Sequence, residues 1–268
     1  MHNQTDSLPI TGVAGTITDV LGIDAPGQAG PPIGAICGAA GAAFAGEKAD
    51  RVFMYNPDAV ALWLYEKYPA LFEEATACSD LRLPMRSVMP SVTPVCFASM
   101  YTGAVPEVHG IRAYVKPVLQ TDTVFDALLR AGKRPAIVST AGDSISRIFL
   151  ERDMDYFIYD TVEECNEKAA ALIAEDRHDL IALYNRDYDA AMHRHGPESA
   201  EALGALKRNI AAYGSLTRQI ETHWGGHRTM IGFCPDHGCH AIDGNLGSHG
   251  LDMPEDMSVI HFYRFIAL

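Results

Sequence analysis

Residues 180–197 read LIALYNRDYDAAMHRHGP. The opening LIALYN (180–185) is a continuous apolar run, too short for a helix, which is the pattern of a strand buried on both faces. The chain then turns abruptly polar and sets Asp189 and His193 just past the strand's carboxyl end. The same pattern recurs on either side. RVFMY (51–55) is stopped by Asn56-Pro57, PAIVST (135–140) and residues 155–159 read as strands, and TMIGFC (229–234) is followed by PDHGCH. SVIHFYRFIAL (258–268) reads as a last strand, with an edge position open to it.

Helical spacing fills the gaps. Apolar residues at 60, 62, 64, 65 and 71 predict a helix over 58–74, and TVFDALLRAG (123–132) a helix stopped by its glycine. Residues 161–175 carry Thr161 and Glu164 in capping-box register, and a long helix is expected over 198–223. Strands alternating with helices imply an α/β fold, a doubly wound and mainly parallel sheet with helices on both faces. A single domain over 1–268 is the simplest account, with 1–49 as an irregular Gly/Pro/Ala-rich lead-in. Within that lead-in, residues 34–45 (GAICGAAGAAFA) suit a closely packed helix better than a signal segment, and 11–33 are placed over the site as a wall.

Composition narrows the classes of function. The chain has 268 residues, 48% hydrophobic and 21% charged, with a net charge of -13. Such a surface repels nucleic-acid polymers, whereas bound metal ions would still admit a small phosphorylated substrate. Six scattered cysteines without CxxC spacing point to reduced thiols and a cytoplasmic setting. The chain opens MHNQTDSLP, which is no signal peptide, and no run of eighteen apolar residues suggests a membrane span. Oligomeric state is not legible.

In a parallel sheet, loops after the strands meet at one edge, where ligands bind. Asn56 and Asp58 follow the first strand, Asp189 and His193 the fourth, and Asp236, His237 and His240 the fifth. GNLGSHG then supplies His249. Mixed carboxylates and imidazoles suit zinc, and carboxylate-rich sets suit manganese or magnesium. Singly, each has a bland reading. Asp189 and His193 form an ordinary i,i+4 pair, Ser91 or Thr93 an ordinary N-cap, and Cys96 a packed thiol. His109, His178, His223, His227 and His261 are assigned no metal. Three such sets at strand ends are harder to dismiss than one.

In order along the chain stand SVTPVCFASMYTGAVPEVHGI, DAAMHRHGPES, PDHGC and SHGLD. This ordered set resembles the alkaline phosphatase superfamily, specifically its nucleotide pyrophosphatase/phosphodiesterase branch, over roughly residues 50–268. The resemblance implies a phosphate-ester hydrolase with Thr93 as nucleophile and two divalent metal ions, zinc first, manganese or magnesium next. Asp189, His193 and His249 match one metal site. Asp236 and His237, with Thr93, match the other. Where the family places an aspartate ending the first strand, this chain has Asn56, with Asp58 two residues on as a substitute ligand. Where relatives place a phosphate-binding asparagine, it has Tyr114, with Arg112 nearby to neutralise charge. Only 13 residues separate Asp236 from His249, so no large cap domain is expected there. Asn56 and Tyr114 also motivate an alternative, a non-catalytic descendant that binds metal and a phosphometabolite. A phosphomutase-type isomerase would need a cap, and an acyl hydrolase would need a GxSxG elbow that this sequence lacks.

Overall fold

The computed structural model describes residues 8–268. Eight strands form one sheet: β1 (Leu8–Pro9), β2 (Arg51–Pro57), β3 (Leu81–Arg86), β4 (Pro135–Thr140), β5 (Asp155–Tyr159), β6 (Leu180–Asn185), β7 (Thr229–Phe233) and, after a separate hairpin of β8 (His240–Ile242) and β9 (Leu246–Ser248), β10 (Ser258–Ile266). The order is β1-β3-β10-β7-β2-β6-β4-β5. Strands β7, β2, β6, β4 and β5 pair in parallel, and β10 runs antiparallel to both neighbours. β10 is therefore an inner strand and not an edge. Its run from Val259 to Tyr263 is buried, as a strand covered on both faces requires.

Alternation along the strands builds two cores. Val52, Met54, Ile137, Ala182 and Met230 join one, beneath helices Gly12–Leu21, Gly34–Ala43 and Thr93–Thr102. Phe53, Tyr55, Val138, Leu183 and Phe233 join the other, beneath helices Val162–Glu175, Asp187–His195 and Ala200–His223. The doubly wound α/β reading holds. The capping box is present, with Thr161 accepting from the Glu164 backbone N–H and Glu164 reaching back to that of Thr161. The 58–74 helix is shorter: it spans Leu62–Lys67, breaks before Pro69 into the 3-10 turn Pro69–Phe72, and resumes as Glu73–Ala77.

The lead-in differs most from expectation. Residues 1–7 lie outside the described residues, but Gly12–Leu21 is a buried helix rather than irregular chain. Its glycines are contact points: a Cβ on Gly15 would meet the Gly30 carbonyl oxygen at 2.8 Å. Close packing outweighs the poor intrinsic helix propensity of Gly and Thr. The segment is also not a wall over the site. Gly30 N–H donates to Gly103 O, and the Gln28 amide to Thr102 O, so this stretch packs at the C-terminal end of helix Thr93–Thr102, away from Thr93. Among the described residues, no helix is long and apolar enough to cross a membrane.

Candidate metal centre

Parallel strands β2, β6 and β7 end at the same edge of the sheet, and each delivers an acid there. β2 and β6 pair with Asn56 opposite Tyr184, and the Asp58 N–H then donates to Asn185 O just past the strand. Asp58 is thereby fixed at the crevice floor. Asp189 sits in the first turn of helix Asp187–His195, which starts directly after β6. Asp236 and His237 follow β7. Thr93 begins helix Thr93–Thr102, and His249 follows the β8–β9 hairpin.

These side chains form two groups whose potential ligand atoms lie within 4.8 Å of one another, Asp189–His193–His249 and Asp58–Asp236–His237. In the first, His193 Nε2 is 3.2 Å and His249 Nε2 3.5 Å from Asp189 Oδ1, and the two imidazole nitrogens are 3.1 Å apart. In the second, His237 Nε2 is 3.3 Å from Asp58 Oδ1 and 3.4 Å from Asp236 Oδ2. The groups abut, because the His237 and His249 rings stack at 4.1 Å. The Thr93 hydroxyl reaches both Asp58 Oδ2 at 3.4 Å and His237 Nε2 at 3.3 Å.

The imidazoles are oriented alike. Nδ1 of His193 faces Gly247 O at 2.9 Å, that of His237 faces Gly238 O at 2.9 Å, and that of His249 faces Ser91 O at 3.0 Å. In the neutral ring a nitrogen facing a carbonyl carries the proton, which leaves Nε2 bare and aimed at the carboxylates. That is the outer-shell arrangement of metal-ligating histidine. Meanwhile Asp58 Oδ1, Asp189 Oδ1 and both Asp236 oxygens are buried without a hydrogen-bond donor among the described residues. Orphaned buried carboxylate oxygens are costly, and a cation among them removes the cost.

Titration follows the crowding. Burial, then the charges of Asp189 and Asp236, push the Asp58 carboxyl well above its usual range, against a hydrogen bond from Tyr184. Burial likewise raises Asp236. Asp189 goes the other way: burial opposes its charge, but the His193 and His249 imidazoles beside it overcome that. The Asp189 carboxylate 3.2 Å away in turn holds His193 up to about 9, while burial and the neighbouring His249 press His237 down to about 3.

Of the two residues offered for the β2 position, Asp58 joins the cluster and Asn56 does not. Asn56 is buried in the sheet, its Nδ2 donating to Met54 O and Leu183 O and its Oδ1 accepting from the Tyr101 hydroxyl. Its amide and carbonyl are spent inside the sheet and on Tyr101, whereas Asp58 lies past the strand end. Tyr114, 60% exposed, feels the charges of Asp58 and Asp189. Arg112 donates to Glu107 O, back along its own segment. His240 joins neither group and pairs with Asp256 at 2.7 Å.

Sequence reading missed two supports. The Tyr184 hydroxyl donates to Asp58 Oδ2. Asp256, fully buried, accepts the Gly238 N–H at its backbone carbonyl (2.7 Å) and the Leu251 N–H at Oδ2 (2.9 Å), so it ties the His237 loop to the His249 loop. Tyr184 is an inward position of an apolar strand, and Asp256 an acid in a polar loop. Neither carries a sequence signal.

The family described as type I phosphodiesterase / nucleotide pyrophosphatase matches residues 69–130 and 139–259, more than half of the chain. Similar solved structures include murine ectonucleotide pyrophosphatase/phosphodiesterase 5 as an inactive variant in complex with AMP (16% identity, 73% of this chain and 59% of that one, TM-score 0.59). The human counterpart is 18% identical over 72% of this chain and 58% of its own, at TM-score 0.58. Phosphonoacetate hydrolase from Sinorhizobium meliloti 1021, in complex with phosphonoformate, is 18% identical over 70% and 56%, at TM-score 0.54. At such identities the likeness is one of fold, and the chain spans less than two thirds of the length of these proteins. No curated protein sequence matches it.

Proposed function

The chain belongs to the type I phosphodiesterase / nucleotide pyrophosphatase family of the alkaline phosphatase superfamily, and we propose that it is a metal-dependent hydrolase of small phosphate esters that uses Thr93 as its nucleophile. The observation that carries this reading is the convergence of both side-chain groups on the Thr93 hydroxyl, at the N-terminus of a ten-residue helix. Helix N-termini favour anions, so a phosphoryl group is drawn to where that hydroxyl stands.

Asp189, His193 and His249 would hold one divalent ion, and Asp58, Asp236 and His237 with Thr93 the other. The imidazole-rich first set favours zinc, and the carboxylate-rich second set takes zinc with manganese or magnesium as substitutes. Two such ions supply charge that activates a hydroxyl and offsets that of the attacking and leaving oxygens. The protein does the rest by position. Asp58, held by the Tyr184 hydroxyl, and His237, held by Gly238 O, fix the Thr93 oxygen between them. Thr93 Oγ1, its proton released to solvent, bonds phosphorus as the ester bond breaks and the leaving oxygen departs as the alcohol; water then hydrolyses the phosphothreonine, releasing the phosphate product and restoring the Thr93 hydroxyl. Partial burial and the charges of Asp58 and Asp189 raise the Tyr114 phenol, which stays protonated and can donate to a phosphoryl oxygen.

The bound AMP and phosphonoformate of the similar proteins support a small phosphorylated substrate here. Six free thiols support a cytoplasmic setting, and one continuous sheet supports reading 1–268 as a single domain. The non-catalytic alternative leaned on Asn56 and Tyr114; Asp58 in the cluster removes the first of these supports, and the second stands. The test is turnover of p-nitrophenyl phosphate and bis-p-nitrophenyl phosphate by zinc- or manganese-loaded protein. Thr93→Ala is expected to abolish turnover while both ions stay bound, and full activity in that variant sinks the mechanism.

A further inference from the structure

Beside the metal centre, β4 ends in the loop Thr140–Ser144, next to the end of β6 in the sheet. Asp143 of this loop is mostly buried and lies close enough to Asp189 to feel its charge. Both its oxygens are occupied, Oδ2 by the Thr140 hydroxyl and Oδ1 by Arg186 Nη1 at 3.3 Å. Arg186 directly follows Asn185 as the N-cap of helix Asp187–His195, three residues before Asp189 of the metal centre. Its side chain is anchored through one nitrogen and 44% exposed, and among the described residues the rest of the guanidinium fork has no other hydrogen-bond partner. Lys116 converges on the same loop. Its ammonium donates to Gly142 O at 2.9 Å and lies 5.1 Å from the centre of the Tyr114 ring. Gly142 adopts a φ of 79°, a conformation that suits glycine and presents that carbonyl.

Two cations thus stand together on the β4 side of three clustered carboxylates, in a chain whose net charge is -13. Acid–base pairing accounts for one of them only in part: Asp143 is a single carboxylate and its hydrogen bonds are already formed. A guanidinium held by one nitrogen is pre-organised to receive a planar anion with its remaining donors.

We propose that Arg186 and Lys116, with Tyr114, form a second anion subsite, and that the natural substrate is a small phosphate ester carrying a carboxylate within a few bonds of the phosphorus. This rests on the phosphoester reading of the adjoining site. The phosphoryl group occupies the Thr93 centre, and the carboxylate extends toward β4 and meets the Arg186 fork.

Binding tests this without requiring turnover. Zinc-loaded Thr93→Ala protein is titrated calorimetrically with 2-phosphoglycolate and with ethyl phosphate, which lacks the carboxylate. The acid is expected to bind at least about tenfold tighter, as a charge-assisted pair warrants. Adding Arg186→Ala should bring the two affinities to within about threefold, and Arg186→Lys, which keeps charge without the fork, should fall between. Equal binding by the Thr93→Ala protein, or a preference that survives Arg186→Ala, overturns the subsite. Because the readout is a ratio, a general loss of folding does not mimic it. Turnover of p-nitrophenyl phosphate without any preference would sink the subsite and spare the hydrolase reading. A preference without turnover would do the reverse.

Discussion

Asn56 and Asp58 are two residues apart and have opposite fates. Asn56 donates to two main-chain carbonyls, so an acid there would press a buried carboxylate against acceptors. Asn56→Asp is therefore expected to destabilise the protein by about 3 kcal/mol in urea unfolding, and not to rescue Asp58→Asn. Recovery of activity in that double variant would show that the family's usual ligand position is the operative one. His261 predicts the response to acid. It is buried, with Nε2 donating to Pro235 O and Nδ1 facing the Tyr263 hydroxyl, and burial lowers it from 6.5 to about 4. The folded state thus prefers the neutral ring. Its contribution is complete above pH 6.5 and is lost as pH falls toward 4, at most about 3 kcal/mol. Urea midpoints measured from pH 7 to 4 should drop over that window, and less steeply in His261→Gln. An unchanged slope in that variant would contradict the assignment.

At the scale of elements, the β8–β9 hairpin sets His193 and His249. Gly247 presents its carbonyl to His193, and a Cβ there would meet Met192 Sδ at 2.2 Å. Gly247→Ala should push the hairpin off helix Asp187–His195 and weaken metal binding by about tenfold or more, read by chelator competition. Wild-type affinity in this variant would show that the hairpin does not position the ligands. Such devices explain what the sequence disclosed and what it hid. Long buried runs such as LIALYN and PAIVST announce strands, because nothing but an apolar surround explains them. LRLPMR (81–86) does not: its charges and proline obscure a strand that pairs with β1 and β10. Helix Gly12–Leu21 was hidden in the same way, since its glycines and threonines are chosen for contact and not for propensity. The metal-facing residues were legible as polar groups placed where apolar strands end. Asp256 and Tyr184 were not, because their role lies in long-range hydrogen bonds that no spacing encodes.

For the whole molecule, the sheet's parallel strands gather acids from β2, β6 and β7 at one edge, and the rest of the fold holds them together against their own repulsion. Cations should therefore stabilise the entire chain. At a hundredfold excess over the dissociation constant, one ion contributes about 2.7 kcal/mol, so a chelator should lower the melting temperature by several degrees and zinc should restore it. A melt indifferent to both would mean the carboxylates tolerate one another unaided. The most direct measurement is anomalous diffraction from zinc-soaked crystals at the zinc edge. Two peaks are expected, one among Asp189, His193 and His249, the other among Asp58, Asp236 and His237 with Thr93 Oγ1 pointing at it. No peak at either group, or a second ion held by Asn56 with Asp58 turned away, would contradict the account.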